Sequence, residues 1–103
     1  MDQTLNAILL EDVKSRLRIT WNDEDTDTQL LKSIERGKAY LQGKCGTSFS
    51  FEEEDQAKQL LIERCRYEYN NSLEDFEKNF RTELQCLIIY AALKERKKNE
   101  TIQ

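Results

Sequence analysis

The scarcity of glycine and proline most constrains how this chain can fold. No proline and only three glycines occur among its 103 residues. Hairpins and sandwich corners depend on such residues, whereas helices need few of them. Because 35 % of the residues are charged and 38 % are apolar, the composition suits helices with large solvated faces. We therefore predict a single all-α domain.

Apolar residues in the first half of the chain form two stripes at helical spacing. The first stripe predicts a helix over roughly residues 6–18, with Lys14 on its outer, solvated face. The second predicts a helix over roughly residues 24–43, before the weak turn material around Gly43. The residues of the two stripes are Leu10, Val13 and Leu17, followed by Leu30, Ile34, Gly37 and Leu41.

The second half of the chain predicts two further helices. Ser50 and Glu53 have the spacing of a capping box and predict a third helix over roughly residues 51–70. A polar run from Asn70 to Ser72 favours a break over one helix continuing unbroken to the basic segment. A fourth helix then follows over roughly residues 73–96. It carries the strongest stripe of the chain, formed by Phe76, Phe80, Leu84, Leu87, Ile88 and Ala91.

The predicted fold is a small antiparallel bundle of about four helices. One segment leaves an alternative open, because Thr47, Phe49 and Phe51 alternate with polar residues. This alternation also allows a short extended or hairpin segment over about residues 46–51.

An acidic stretch, WNDEDTDTQLL, occupies residues 21–31. A calcium-binding EF-hand loop begun at Asp23 would need a glycine at its sixth position and a glutamate at its twelfth, and the chain has neither. We interpret the stretch as the start of the second helix, where acidic side chains favour the positive end of the helix dipole. Thr26 with Gln29, in capping-box spacing, and Asn22 both stay open as the cap.

No residue pattern predicts catalysis, a cofactor or a metal site. The chain has no histidine, no glycine-rich phosphate loop and no nucleophile with a plausible base. The three cysteines are far apart and form no CxxC, which argues against zinc. Cys65 and Cys86 fall in apolar helical stretches, so we expect both to be small buried hydrophobic residues.

Charge and hydropathy argue against nucleic-acid binding, a secretion signal and a membrane span. A net charge of −4 and a pI near 4.9 argue against binding nucleic acid through its phosphates. The N-terminal MDQTLNAILLEDV lacks the basic region of a secretion signal. The apolar run LIIYAAL is too short to cross a membrane.

The fourth helix is apolar at nearly every position from Leu84 to Leu93. Such a helix must be covered on more than one side. Either it is a central helix surrounded by the other three, or one flank meets another protein chain. The flank in question contains Ile89, Tyr90 and Leu93. A small bundle has few elements to cover the helix completely, which favours the second interpretation.

The order and spacing of these segments resemble a known family. The stretches VKSRLRITWNDEDTDTQLLKSIERGKAYL and LLIERCRYEYNNSLEDFEKNFRTELQCLIIYAAL are similar to the small head–tail connector, or adaptor, proteins of long-tailed double-stranded DNA bacteriophages. The similarity is greatest to those of phages and prophages of Gram-positive bacteria. The features that carry it are the L-R-I ending of the first helix, the acidic stretch before L-L-x-x-I, and the run from R-Y-x-Y-N-N to F-x-x-N-F.

This resemblance implies a structural virion protein without enzymatic activity. Proteins of the family form a ring, commonly of about twelve copies, beneath the portal at the capsid vertex. They extend the DNA channel and offer a docking surface to a stopper or tail-completion protein. The implied partners are thus the portal protein, the stopper and further copies of the chain, which can be monomeric when free. DNA would pass without sequence-specific binding, no membrane is involved, and assembly would take place in the host cytoplasm.

The resemblance also suggests roles for particular residues. It divides the chain into a connector domain over residues 1–93 and a basic helix end and tail over residues 94–103. The candidates for portal contact are Lys94, Arg96, Lys97 and Lys98. The candidates for the interface between subunits are Ile89, Tyr90 and Leu93. An acidic channel wall would repel DNA, and its candidates are Asp23, Glu24, Asp25, Asp27, Glu52, Glu53 and Glu54.

Two other classes of protein are weaker alternatives. An acidic inhibitor that mimics DNA would space carboxylates along one surface, and here sixteen lysines and arginines interleave with the acids. A generic helical regulator would need a basic recognition helix. The KERKK segment is instead a helix end with no clear helix-turn-helix before it.

Overall fold

Helices make up most of the chain that the structure describes. The computed structural model describes residues 2–52 and 55–102, and the side chains of residues 4–52 and 55–96. The elements in order are α1 (Asp2–Leu17), α2 (Glu24–Cys45), α3 (Gln56–Tyr69), a 3₁₀ turn (Leu73–Asp75), α4 (Phe76–Asn79) and α5 (Arg81–Ile102). No strand occurs in these ranges, which confirms the all-α prediction. The alternating segment after α2 has no strand or hairpin in its described residues.

Helix α1 begins at Asp2, earlier than predicted, because its apolar stripe extends towards the N-terminus through Leu5 and Leu9. The helix ends with Arg18 in the left-handed region at φ 62°. The amide of Ile19 then donates to the carbonyl of Lys14 at 2.8 Å, which turns the buried Ile19 side chain back into the core. This closing turn directs the chain into α2.

Helix α2 ends two residues later than predicted, because Gly46 and not Gly43 terminates it. Gly46 adopts φ 67° and its amide donates to the carbonyl of Gln42. A left-handed residue just after the last turn is a common helix end, and glycine adopts that conformation without strain. Gly43 lies within the helix on an exposed position.

Helix α3 begins at Gln56, several residues after the predicted start, so the proposed capping box of Ser50 and Glu53 was wrong. Asp55 is the N-cap, and its carboxylate accepts a hydrogen bond from the amide of Lys58 at 3.0 Å. Phe51, buried and at φ 58°, instead packs against Phe49 in an edge-to-face contact. Burying this phenylalanine keeps the preceding segment out of the helix.

The predicted break after α3 is confirmed. Asn71 adopts φ 59°, a conformation that asparagine tolerates better than most residues. The single fourth helix predicted from about residue 73 was wrong in its first part, because the 3₁₀ turn and α4 occupy that stretch and Phe80 separates α4 from α5. Phe76 anchors this region: it is buried and its ring contacts those of Tyr40, Tyr67 and Phe80.

Helices α2 and α3 form the centre of the bundle, and the fourth predicted helix does not. Helix α3 packs against α1, α2 and α5, and its buried residues point to several sides. They are Ala57, Lys58, Leu60, Leu61, Ile62 and Cys65. The interpretation of the LIIYAAL segment as a surrounded central helix was therefore wrong.

Two lysines, Lys14 and Lys58, lie in the interior. The expectation that Lys14 is solvated was therefore wrong. Lys14 is 5 % exposed, and its Nζ donates to Asp27 Oδ1 at 3.0 Å and to Asn22 Oδ1 at 3.1 Å. Lys58 is 3 % exposed and lies 2.9 Å from Asp12 Oδ2. That second contact is an ion pair without hydrogen-bond alignment, because the oxygen accepts no hydrogen bond. Buried charges need such partners to offset their desolvation.

Candidate interaction surface

Helix α5 has an inner apolar stripe that packs into the core. Leu84, Leu87 and Ala91 are buried and Ile88 is half-buried. These positions recur every three or four residues, so they fall on one face of the helix. Contacts with α2 and α3 hold this face in place. The inner face therefore holds α5 against the rest of the bundle.

The opposite face of α5 is a second apolar stripe that points into solvent. Ile89, Tyr90 and Leu93 are 60 %, 57 % and 58 % exposed. Cys86 is also exposed and continues this outer stripe towards the N-terminal end of the helix. The expectation that Cys86 is buried was wrong, since a helical turn of about 100° per residue places it opposite Leu84 and Ala91.

The outer stripe, defined by Cys86, Ile89, Tyr90 and Leu93, is the most exposed apolar surface of the described chain. The other large apolar side chains that are exposed there are Ile8, Trp21 and Tyr69, and each is less exposed than any of the three on α5. A contiguous apolar patch on a fixed helix is typical of a protein–protein interaction site. The structure thus brings the three predicted interface residues together on one face.

The basic end of α5 follows directly after the outer stripe. Lys94 and Arg96 are exposed, while the side chains of Lys97 and Lys98 lie outside the described residues. The hydroxyl of Thr47 donates to the carboxylate of Glu95, which fastens this part of the helix to the segment after α2. The helix itself continues to Ile102, beyond its predicted end.

The acidic stretch begins α2 as predicted, but its cap is neither of the two proposed. Asp23 is the N-cap: its carboxylate accepts from the amide of Thr26 at 3.0 Å and from the Thr26 hydroxyl at 2.7 Å. These hydrogen bonds, that of the hydroxyl first, lower the pKa of Asp23. Asp27 is half-buried against Lys14, so it also acts within the fold.

The remaining acidic candidates lie in two separate places. Glu24 and Asp25 are exposed in the first turn of α2. Glu52 is exposed before α3, whereas Glu53 and Glu54 lie outside the described residues. Contacts of Arg36 with Glu68 and of Tyr40 with Arg64 show that α2 and α3 run antiparallel. Glu52 therefore lies at the opposite end of this helix pair from Glu24 and Asp25.

A cavity lies beside α5, and no sequence pattern predicted it. It has a volume of about 360 Å³ and is lined by Lys44, Glu77, Arg81, Leu84, Gln85 and Ile88. Its residues come from α2, α4 and α5, and no local pattern links such distant segments. The exposed aromatic ring of Trp21 was also missed, although its position in a polar stretch beside a helix start could have indicated exposure.

The described residues offer no arrangement for metal chemistry or for a membrane span. No group of three or more His, Cys, Asp or Glu side chains within them could hold a metal ion. None of the described helices is both long enough and apolar enough to cross a membrane. What this part of the chain does present is a helix with a buried face, an exposed apolar face and a basic end.

Comparison with known families decides among the remaining classes of protein. Residues 7–102 match the phage gp6-like head-tail connector proteins, a span that includes residues of all five helices. The chain belongs to this family. No curated protein and no solved structure matches the connector.

Membership confirms the resemblance seen in the sequence and its main functional consequence. The connector is a structural protein of the phage virion, placed where head and tail join, and its family is not a family of enzymes. Such a protein contacts other virion proteins such as the portal and the tail. The outer stripe of α5 lies within the matched residues.

Proposed function

We propose that the connector assembles into a ring on the portal of its phage and extends the DNA channel. The ring then offers a docking surface to a stopper or tail-completion protein. Assembly takes place in the cytoplasm of the host, for which a Gram-positive bacterium is the prediction. The observation that carries the proposal is the outer stripe of α5, an exposed apolar face on a helix whose other face is fixed in the core.

The interface between subunits is the first part of this proposal. Ile89, Tyr90 and Leu93 are each more than half exposed in the single chain. Covering them removes apolar surface from water, which stabilises association by about 25 cal/mol per Å² before the entropic cost of association. Tyrosine is enriched among the residues that dominate protein interfaces. A ring repeats this contact once per subunit, so a modest gain in association free energy at each interface adds up over the ring.

Portal contact is the second part, and we assign it to the basic end of α5. Lys94 and Arg96, with Lys97 and Lys98, put four positive charges within five positions of one helix. Such a segment complements an acidic partner surface. Attachment through it should weaken as the salt concentration rises, because salt screens interactions between exposed charges.

A charge-reversal variant tests the portal contact. Arg96→Glu, Lys97→Glu and Lys98→Glu together should weaken binding to the portal ring at least tenfold, on the order expected for losing several charge contacts. The matched control is Lys32→Glu, which changes an exposed lysine of α2. Circular dichroism checks that both variants stay folded. Portal binding equal to that of the control would contradict the assignment.

The channel wall is the third part. Every copy has a net charge of −4, so a ring of such chains is strongly acidic and lets a DNA duplex slide without adhering. Glu24, Asp25 and Glu52 are exposed, and we assign the wall to their two stretches, including Glu53 and Glu54. Asp23 and Asp27 add their charge to the first stretch while serving the fold of α2.

A mixing experiment tests the ring directly. The purified connector is combined with the portal ring of the same phage, and the mixture is followed by size exclusion with light scattering and by electron microscopy. The connector alone is the control. A second ring stacked on the portal supports the proposal, and its symmetry gives the number of copies. A connector that elutes apart from the portal at all concentrations contradicts it.

A further inference from the structure

A cyclic ring needs two different contact surfaces on every subunit. In such a ring each copy meets one neighbour through one surface and the next neighbour through another, whereas a surface that pairs with itself gives a two-fold dimer and stops there. The outer stripe of α5 can therefore supply only one half of the contact. The other half must be a different surface of the same chain.

We infer that the outer stripe of one copy docks into the cavity between α2, α4 and α5 of the next copy. This inference rests on the proposed ring and names the partner surface within it. The cavity is open to solvent, and at about 360 Å³ it has room for the ring of Tyr90. Leu84 and Ile88 supply an apolar lining to this cavity. An aromatic side chain that enters this cavity would be shielded from water on most sides.

The charges on the two surfaces are complementary. Arg81 and Lys44 line the cavity. Arg81 is exposed and forms no ion pair with any residue the structure describes, while Lys44 lies 3.3 Å from Glu77. On the other surface, Glu83 is exposed and also unpaired within the described chain. It lies two turns before Tyr90 on the same edge of the outer stripe. Docking thus brings an acid to a basic rim and places an aromatic ring near cations, which attract its face.

The directions of the two surfaces suit a ring. At about 100° per residue, the α5 residues of the cavity (Arg81, Leu84, Gln85, Ile88) and those of the outer stripe are centred about 140° apart around the helix. In a ring of about twelve copies, the directions from a subunit to its two neighbours differ by about 150°. With α5 running along the ring axis, one copy can therefore use both surfaces at once, and neighbouring α5 helices lie side by side.

The two surfaces also match along the helix when α5 runs along the ring axis, because rotation about that axis keeps neighbouring α5 helices parallel. Arg81 and Glu83 are two residues apart, which is about 3 Å along the axis. Along α5, Tyr90 lies on the C-terminal side of the cavity residues, but helical side chains lean towards the N-terminus of their helix. Its ring therefore reaches the level of Ile88 and Gln85 in the neighbour. No sliding of one copy past the other is needed.

Two charge reversals test this pairing without disturbing the apolar contact. Glu83→Arg changes only the outer stripe edge, and Arg81→Glu changes only the cavity. In a ring of either variant alone, like charges face each other. We expect the concentration for half-maximal ring assembly on the portal to rise at least about tenfold.

An equimolar mixture of the two variants should restore assembly. The reversed edge of the first variant can face the reversed cavity of the second, and the unaltered edge of the second can face the unaltered cavity of the first. Opposite charges then meet at every interface. Assembly should therefore return in alternating rings, which contain an even number of copies.

The controls separate this inference from the proposed ring. Glu11→Arg reverses an exposed acid on α1 and should assemble like the unaltered chain, and circular dichroism verifies folding of all variants. If the unaltered chain forms rings and either reversal alone assembles as well, or the mixture fails to recover, the pairing is wrong and the ring stands. If the unaltered chain forms no ring on the portal, the proposed function fails, and this inference fails with it.

Discussion

The ion pair of Lys14 and Asp27 shows how a single residue can mislead a periodicity argument. Lys14 occupies a polar position in the sequence pattern, yet it is buried because its amine reaches Asp27 and Asn22 at the start of α2. A long aliphatic stem with a charged tip can lie against a core when the tip finds partners. Nothing in the spacing of α1 indicates those partners, since Asp27 lies in the first turn of the next helix and Asn22 just before that helix.

We expect Asp27→Ala to lower the free energy of unfolding by about 1–3 kcal/mol, because it leaves a buried lysine with only Asn22 as partner. Glu24→Ala, in the same turn but exposed and without an ion pair in the described chain, is the matched control and should change stability by less than about 0.5 kcal/mol. Urea unfolding measures the free energy of unfolding of both variants. Equal effects of the two variants would show that the Lys14 pair contributes little.

The three cysteines differ in reactivity according to their position in the helices. Burial raises the pKa of the Cys65 thiol to about 12 and also raises that of Cys45. We expect a thiol reagent at pH 8 to modify Cys86 first, Cys45 more slowly and Cys65 only after unfolding. Mass spectrometry identifies the modified residue, and Cys86→Ser removes the fast phase. Rapid modification of Cys65 in the native protein would contradict the packing of α3.

The contact of α2 with α3 depends on a close approach at Gly37. A β-carbon there would lie 2.5 Å from Leu61 Cδ1, in the middle of the core. Gly43, in the same helix, has no neighbouring atom within 4 Å of such a carbon. The two glycines therefore offer opposite outcomes for one substitution.

Gly37→Ala should lower stability by about 1–2 kcal/mol, because overpacking outweighs the gain in helix propensity. Gly43→Ala should raise it by about 0.5–1 kcal/mol, because only the propensity term applies. Thermal unfolding of the two variants beside the unaltered chain shows whether each substitution raises or lowers stability. A stabilising Gly37→Ala would mean that Leu61 moves aside freely and that the helices are not closely packed there.

The helices themselves were predictable, whereas their ends and their neighbours were less so. The stripes containing Leu30 and Leu84 predicted α2 and most of α5, because apolar spacing reports the face that packs. The start of α3 was misplaced, since Ser50 and Glu53 have cap spacing but Phe51 is buried at a positive φ and Asp55 is the N-cap. Local signals compete, and tertiary packing decides between them.

For the molecule as a whole, the sequence predicted one half of the proposed assembly surface and missed the other. The outer stripe could be named because Ile89, Tyr90 and Leu93 exceed what a small bundle can cover. The cavity could not, because it forms only where α2, α4 and α5 meet. Family membership then supplies what no packing argument could, namely that the connector belongs at the junction of head and tail.

The proposed ring depends on the outer stripe, and replacing the apolar residues of that stripe is the most direct test of the proposal. Ile89→Gln, Tyr90→Gln and Leu93→Gln together keep good helix formers and touch only exposed positions. The free energy of unfolding of this variant should therefore stay within about 0.5 kcal/mol of that of the unaltered chain. Electron microscopy of the mixture with portal should show portal rings with no second ring above them. A complete second ring, with unchanged symmetry, would contradict the assignment of α5 as the surface that joins the subunits.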